Sequence, residues 1–226
     1  MAFSLRRNGW LLLGLLCAAG FAAIAASVEL HRTGPFDRQQ IAFWQGLESR
    51  RWTAVMTLFT FIGGGWPAAT IALCQSLVLY AIARDRRELL LFLATVGGSA
   101  ALNTVLKELF RRERPAFHRL IPETGFSFPS GHAMGALSLF GMTAYLLWKH
   151  IPVRWGRAAL AVYCACLVAG IGASRIYLGV HYPTDVAAGY LASGCCVSLA
   201  VWGYQSARKY GISKERGVKR SPKSIE

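Results

Sequence analysis

Acidic residues are scarce in this sequence, with 11 Asp and Glu against 25 Lys and Arg in 226 residues. Charged residues of both signs make up only 16% of the chain, whereas 54% of the residues are hydrophobic. The sequence also has no long linker and no repeat of fixed period. Because no polar stretch is long enough to form a separate soluble domain, the composition argues against a soluble protein.

Six hydrophobic runs are candidate membrane spans. They are Trp10–Ser27, Gly63–Ile82, Leu89–Leu106, Ala133–Trp148, Ala158–Ala173 and Val186–Ala207. The sequence therefore predicts an all-α fold, a polytopic membrane helical bundle with about six transmembrane helices. We expect residues 1–207 to form one membrane-embedded domain and residues 208–226 to form a basic, disordered cytoplasmic tail.

The first 27 residues also fit a cleavable signal peptide. We expect this segment to be retained, because it is long for a signal sequence and further spans follow. Between the first two runs, Asp37 is a plausible N-cap of a short helix on the outer surface, although an ordinary loop fits almost as well. The stretch from Trp52 to Ile82 is too long for one perpendicular helix, and Gly63–Pro67 offers a break.

The net charge of +14 is consistent with either nucleic acid or an anionic membrane as the partner. If the N-terminus is cytoplasmic, fifteen of the 25 basic residues but only four of the 11 acidic ones lie on the cytoplasmic side. This asymmetry is the positive-inside pattern of membrane proteins. We therefore predict a multi-pass protein of the inner or plasma membrane with both termini in the cytoplasm, and no nucleic-acid partner.

The six cysteines all lie inside hydrophobic runs, and none has a His or Cys neighbour at zinc-ligand spacing. We expect neither disulfides nor a metal site.

The first polar cluster is "KELFRRERP", at the end of the third run. Lys107 and Arg114 are seven residues apart, so a helix continuing to Pro115 would present both on one face, with Arg111 beside them. Such a cationic ridge suits an anion. The alternative is that these side chains only reach from the membrane edge to the polar headgroups.

The second cluster is "FPSGH", directly before the fourth run. Ser130 can cap the helix, Gly131 lets a ligand approach the backbone, and His132 lies in the first turn. Free amides and positive dipole character make a helix N-terminus a good phosphate site. The alternative is helix capping without catalysis.

The third cluster is "SRIYLGVHYPTD". Arg175 ends the fifth run, and Pro183 suits the first turn of the sixth helix. His181 and Asp185 are four residues apart, so the carboxylate can hold one ring nitrogen and leave the other free to attack. A lone His in such a place is usually structural, but a site built from all three clusters suits phosphoryl transfer. With the predicted topology, all three clusters open on the outer face.

These clusters resemble the three-part signature of the type 2 phosphatidic acid phosphatase superfamily: Lys-x6-Arg-Pro, Pro-Ser-Gly-His and Ser-Arg-x5-His-x3-Asp. Every fixed position is present. The resemblance to bacterial membrane members implies a lipid phosphatase in which His181 is the nucleophile that forms a phosphohistidine and Asp185 orients it. His132 would serve as acid and then as base. The phosphate-binding residues implied are Lys107, Arg114, Ser130, Gly131 and Arg175.

Because fixed cations hold the phosphate, the resemblance implies no cofactor and no metal. The expected partner is a lipid phosphate in the bilayer: undecaprenyl pyrophosphate, slightly favoured, or phosphatidylglycerol phosphate, phosphatidic acid or diacylglycerol pyrophosphate. No obligate protein partner is evident from the sequence. The alternatives are a non-enzymatic lipid or anion transporter, because charges at the membrane edge also mark transport pathways, and a soluble vanadium-dependent haloperoxidase, against which the hydrophobic runs argue.

Overall fold

The computed structural model describes residues 7–83, 86–116 and 118–220. These residues form eight α-helices and one 3-10 turn, with no β-strand among them. The helices are α1 (Arg7–Glu29), α2 (Gly34–Gln45), α3 (Arg50–Ile62), α4 (Gly65–Ala83), α5 (Arg86–Phe110), α6 (Gly131–Leu147), α7 (Arg154–Tyr177) and α8 (Pro183–Arg220), with the 3-10 turn at Trp148–His150. The predicted all-α class is confirmed.

Five of the described helices are long and apolar enough to cross a bilayer: α1, α4, α5, α7 and α8. On α4, Leu73 and Leu77 are about 60% exposed, as expected of a face that contacts lipid. The fourth predicted run corresponds to α6, which has 17 residues. Its length of roughly 26 Å is slightly less than the hydrocarbon core of about 30 Å. The count of six spans therefore stays a prediction, with α6 as the sixth helix.

α6 is the central helix of the bundle and packs against α5, α7 and α8. Its buried residues include Ala133, Leu139, Phe140 and Met142, each at most 3% exposed. α1 lies against α8, where a Cβ on Gly14 would come within 3.1 Å of Leu199. Small residues of this kind allow membrane helices to approach closely.

The segment between the first two long helices is helical, as predicted, but Asp37 is not its N-cap. Thr33 holds the N-cap position of α2, and Asp37 lies in the first turn of that helix, fully buried. Its carboxylate instead accepts hydrogen bonds from Arg112 and Thr184, which lie far away in the sequence. The predicted break at Gly63–Pro67 is confirmed, because α3 ends at Ile62 and α4 begins at Gly65.

α5 ends earlier than the sequence analysis expects. Its last residue is Phe110, so Arg114 lies in an extended segment rather than on the helix. Arg111 adopts the left-handed conformation, with φ of 44°, and its amide donates to the Lys107 carbonyl at 3.0 Å. A left-handed residue with this hydrogen bond is a usual way of closing a helix.

α8 ends later than expected, because it continues to Arg220 where the sequence predicts a disordered tail from residue 208. Lys, Arg and Glu favour helix, and the first proline of this segment is Pro222. Residues 221–226 lie outside the described residues. The division at residue 207 into a membrane domain and a tail stays a prediction.

The long connection between α5 and α6 lies at the end of the bundle, and its described residues, 111–116 and 118–130, contain no helix or strand. Phe128, which is fully buried, fixes it in place: its ring lies 4.9 Å from that of Phe110 and 5.8 Å from that of Phe21. The Ser127 amide also donates to the Arg112 carbonyl at 2.8 Å. The connection is therefore packed against α1 and α5 at the end where α6 and α8 begin.

Candidate active site

The structure brings the eight predicted site residues to one end of the bundle. They come from the last turn of α5, the connection after it, the start of α6, the last turn of α7 and the start of α8. In chain order they are Lys107, Arg114, Ser130, Gly131, His132, Arg175, His181 and Asp185.

His181 lies in the short turn between α7 and α8, and its side chain is almost completely buried. Its Nδ1 is 3.4 Å from Oδ2 of Asp185 and 3.3 Å from the hydroxyl of Ser127. Its Nε2 is 3.0 Å from Nη1 of Arg114. A proton on Nδ1 satisfies the carboxylate, so the lone pair of Nε2 faces the cationic side of the site.

Burial lowers the pKa of His181 to about 4, although Asp185 acts in the opposite direction. The imidazole is therefore neutral near pH 7, as a nucleophile must be.

Asp185 is oriented by the start of α8. The helix begins at Pro183, and Oδ2 of Asp185 reaches back to accept the amide of Tyr182 at 2.9 Å. This is the geometry of a capping box, in which the third residue of a helix binds the amide at its start. The same oxygen accepts the hydroxyl of Ser127. The carboxylate that faces His181 is thus held by two further donors.

The three cations of the predicted site are each held by hydrogen-bond acceptors. Arg175, 1% exposed, donates to Thr60 on α3 and to Glu123. Arg114 donates to the carbonyl oxygens of Thr124, Gly125 and Val180 at 2.9–3.0 Å, and Lys107 donates to that of Phe126. Because backbone carbonyls and, for Arg175, side-chain oxygens hold these charges in place, little reorganisation would be needed when an anion binds.

The start of α6 places the third motif. Ser130 is the N-cap, and its hydroxyl accepts the amide of Ala133 at 3.4 Å. A Cβ on Gly131 would lie 2.8 Å from Oδ1 of Asn103, so the close approach of α5 requires glycine there. His132 follows in the first turn, where it interacts electrostatically with Arg175 and His181.

Sequence reasoning missed several polar residues of the site. Glu123 pairs with Arg175 and lies 3.8 Å from Arg114. Burial acts to raise the pKa of Glu123, but these two guanidinium groups hold it below its usual value. Ser127 was also missed, although it lies two residues before the Pro-Ser-Gly-His motif. Its position in the sequence gives no signal, because its partners lie more than 50 residues away.

Besides Arg114, the arginine of "RRER" that joins the site is Arg112 and not Arg111, which the sequence analysis expects on the same face. The side chain of Arg111 is 68% exposed and pairs with Glu108 in the last turn of α5, so it takes no part in the cationic ridge. Arg112 instead turns inward and pairs with Asp185 at 2.6 Å and with Asp37 at 2.8 Å. The left-handed Arg111 reverses the direction in which consecutive side chains point.

The arrangement combines a neutral imidazole with a carboxylate behind it, fixed cations in front of it and a second histidine nearby. Such groups can bind a phosphoryl group, attack it and protonate a leaving oxygen. Among residues 7–83, 86–116 and 118–220, no cluster of three His, Cys, Asp or Glu could hold a metal ion. The six cysteines, all within this part of the chain, are not joined in disulfides.

Comparison with known proteins identifies the family to which the chain is similar. Residues 88–209 match the model of the PAP2 superfamily. The chain is 44% identical over 121 residues to phosphatidylglycerophosphatase B of Bacillus subtilis, covering 53% of this chain and 59% of that protein. It is 36% identical over 137 residues to decaprenylphosphoryl-5-phosphoribose phosphatase of Mycobacterium tuberculosis, covering 57% of this chain and 70% of that one.

Among solved structures, the crystal structure of a transmembrane PAP2 type phosphatidylglycerolphosphate phosphatase from Bacillus subtilis superposes with a TM-score of 0.79 at 28% identity. The superposition covers 86% of this chain and 96% of that one. The sequence match to phosphatidylglycerophosphatase B of Bacillus subtilis covers less than two thirds of that protein. The likeness of fold to the crystal structure extends over most of both chains.

Proposed function

The chain belongs to the PAP2 superfamily, and we propose that it is a membrane phosphatase that hydrolyses a phosphate monoester or pyrophosphate on a lipid. The observation that carries this proposal is the placement of His181, with Nδ1 toward Asp185 and Nε2 toward the guanidinium of Arg114. A structural histidine has no need to direct its lone pair at a buried guanidinium. A nucleophile for a phosphoryl group needs both features.

In the proposed first step, Nε2 of His181 attacks phosphorus and the bond to the lipid oxygen breaks. Lys107, Arg114 and Arg175 balance the charge of the phosphoryl oxygens, and the start of α6 adds the dipole of its free amides. Burial lowers the pKa of His132 to about 3 in the free protein. The negative charge of a bound phosphate favours the protonated imidazole, which then gives its proton to the departing lipid oxygen. The imidazole of His181 becomes a phosphohistidine, and Asp185 balances the positive charge that develops on its ring.

In the second step, water replaces the histidine on phosphorus. His132, now neutral, accepts a proton from the water as its oxygen bonds to phosphorus. The N–P bond breaks, its electron pair returns to Nε2 of His181, and inorganic phosphate leaves. Neither step requires a metal ion, because fixed cations supply the charge that a metal would otherwise provide. We therefore propose a metal-independent hydrolase without a cofactor.

The substrate class follows from the position of the site at the ends of apolar helices. A phosphate headgroup can enter from water while the lipid tails remain among the helices. Two relatives are named for phosphatidylglycerophosphate and decaprenylphosphoryl-5-phosphoribose, so both glycerolipid and polyprenyl phosphates fit the family. We propose that the substrate is one of these two lipid types, hydrolysed on the outer face of the cell membrane with both termini in the cytoplasm.

The test is phosphate release by the purified protein in detergent. Substrates would be phosphatidylglycerol phosphate, undecaprenyl pyrophosphate, phosphatidic acid and diacylglycerol pyrophosphate, with His181→Ala as the blank. We expect release from at least one lipid, retained in EDTA, and loss of at least about 1,000-fold in the variant. Equal rates with His181→Ala would refute the nucleophile, and a loss in EDTA that magnesium restores would refute the metal-free site.

A further inference from the structure

Arg112 joins two buried carboxylates behind the proposed nucleophile. Its Nη1 donates to Oδ1 of Asp185 at 2.6 Å, and its Nη2 donates to Oδ2 of Asp37 at 2.8 Å. Both carboxylates are fully buried, and the side chain of Arg112 is 16% exposed. The PAP2 signature residues identified above include neither Arg112 nor Asp37. Arg112 contacts Asp185 directly, and Asp37 is linked to Asp185 through Arg112.

The pair is built into the start of α8. Asp37 also accepts the amide of Thr184 at 3.1 Å and its hydroxyl at 2.9 Å. Arg112 donates to the same hydroxyl at 2.9 Å, and its guanidinium lies over the ring of Tyr182 at 4.0 Å from the centroid. The residues on either side of Pro183 are thus fixed by one arginine and one carboxylate. Arginine suits this task because its planar fork can hold two acceptors at once.

Removal of Arg112 would leave two buried carboxylates without a cation, which is strongly unfavourable. That cost explains why a cation lies between them. It does not explain why a charged pair is used, since apolar residues can fill such a space at least as stably. The reason lies in the effect on Asp185. An arginine alone would anchor that carboxylate but cancel most of its negative charge, whereas Asp37 offsets the arginine.

We propose that Arg112 and Asp37 are positioning residues for catalysis: Arg112 fixes Asp185 behind His181, and Asp37 offsets its positive charge so that Asp185 still stabilises a cationic imidazole. This inference rests on the proposed phosphohistidine mechanism, in which such a cation forms. It also gives α2, a helix outside the family signature, a role in the chemistry.

Opposite changes in the acidity of His181 follow from this arrangement. Arg112→Gln leaves Asp37 and Asp185 without their cation, so the protonated imidazole is favoured and the pKa of His181 rises. Asp37→Asn leaves the arginine to Asp185 alone, so the pKa of His181 falls. The other charged or titratable residues facing His181 are not substituted in either variant. They are Asp185 from α8, Arg175 from α7, His132 from α6 and Arg114 from the connection after α5.

The experiment measures kcat and KM for one lipid phosphate, and the pKa of His181 by NMR of the 15N-histidine-labelled protein in detergent, assigned with His181→Gln. Arg112→Gln and Asp37→Asn should each lower kcat by about 10- to 100-fold with little change in KM, as expected when a partner that orients a reactive group is removed. Arg112→Lys keeps a charge without the fork and should recover only part of kcat. Arg38→Gln, an exposed arginine next to Asp37, is the matched control and should behave as wild type.

The double variant Arg112→Gln/Asp37→Asn removes both charges. Its His181 pKa should lie between those of the single variants. Its thermal stability should exceed that of Arg112→Gln, because one buried carboxylate rather than two is left without a cation. Shifts of the same sign in both single variants, or unchanged kcat in both, would overturn the proposal while leaving the phosphatase assignment intact. If the wild type hydrolysed no lipid phosphate, the phosphatase proposal would fail. The NMR shifts would then still decide whether this network acts on His181.

Discussion

Oδ2 of Asp185 serves three donors at once: Nδ1 of His181 at 3.4 Å, the amide of Tyr182 at 2.9 Å and the hydroxyl of Ser127. The oxygen that faces the imidazole therefore also accepts the hydrogen bond that caps the N-terminus of α8. Any movement of the start of the helix moves the carboxylate with it. The position of the N-terminus of α8 and the tautomer of His181 are coupled through this atom.

The pH dependence of hydrolysis should reflect the burial of His181. Burial lowers the pKa of this imidazole to about 4, and protonation removes the lone pair that attacks. As pH falls, kcat/KM should therefore decline with a midpoint near 4 rather than near 6.5, the usual value for histidine.

Phosphate groups of the substrate also titrate, with a second pKa near 6. The dependence of kcat/KM on pH is therefore measured with both a lipid phosphate monoester and a lipid pyrophosphate. A decline at low pH that both substrates show with the same midpoint is due to the protein. A shared decline centred near 6.5 would contradict a buried, neutral His181.

His132→Ala should separate the two chemical steps. With a lipid substrate the variant lacks the acid for the leaving oxygen, and the rate should fall by about 100- to 10,000-fold. With p-nitrophenyl phosphate the leaving group needs no acid, so the first step should be much less affected. The second step still lacks its base, and a phosphohistidine should accumulate.

The intermediate can be measured by rapid quenching in alkali, in which phosphohistidine is stable, after reaction with 32P-labelled substrate. His132→Ala/His181→Ala is the control and should retain no label. Equal losses with both substrates and no trapped label would show that His132 is not the acid and base.

The sequence predicts the local parts of the site well, because they depend on short spacings. His181 and Asp185 meet because four residues separate them at a helix start that Pro183 fixes. Ser130 caps α6 because it directly precedes the helix. Likewise, long hydrophobic runs predict the long helices, and a run of glycines predicts the break between α3 and α4.

The parts that could not be predicted depend on contacts between distant segments. Asp37 and Arg112 are 75 residues apart, and both look like ordinary surface residues in the sequence. Among neighbouring arginines, only the backbone at Arg111, with φ of 44°, decides which side chain turns inward. The same residue ends α5 before Arg114, where helical spacing predicts a continuous face.

Orientation in the membrane can be tested by labelling single cysteines in a variant without the six native ones. Thr124→Cys lies in the connection over the site, and Arg154→Cys lies at the start of α7; both positions are exposed. If the site faces outward, a membrane-impermeant maleimide should label Thr124→Cys in intact spheroplasts and Arg154→Cys only after lysis. The reverse pattern would place the site on the cytoplasmic side.

Gly131→Ala should impair catalysis through one contact. The added Cβ would lie 2.8 Å from Oδ1 of Asn103, whose amide donates to the Pro129 carbonyl at 3.1 Å. Overpacking of this kind costs about 1–3 kcal/mol, and it displaces the start of α6 that carries Ser130 and His132. A displacement of about 1 Å at a reacting group can lower the rate by about 100-fold.

Gly135→Ala, one turn further along α6, is the matched control, because a Cβ there meets nothing within 4 Å. It should leave kcat unchanged and slightly favour the helix. Gly131→Ala/Asn103→Ala removes the side chain with which the methyl group collides. It should therefore regain activity relative to Gly131→Ala alone, even though it loses the hydrogen bond to Pro129. If the double variant is no more active than the single one, the cause of the impairment is not contact with Asn103.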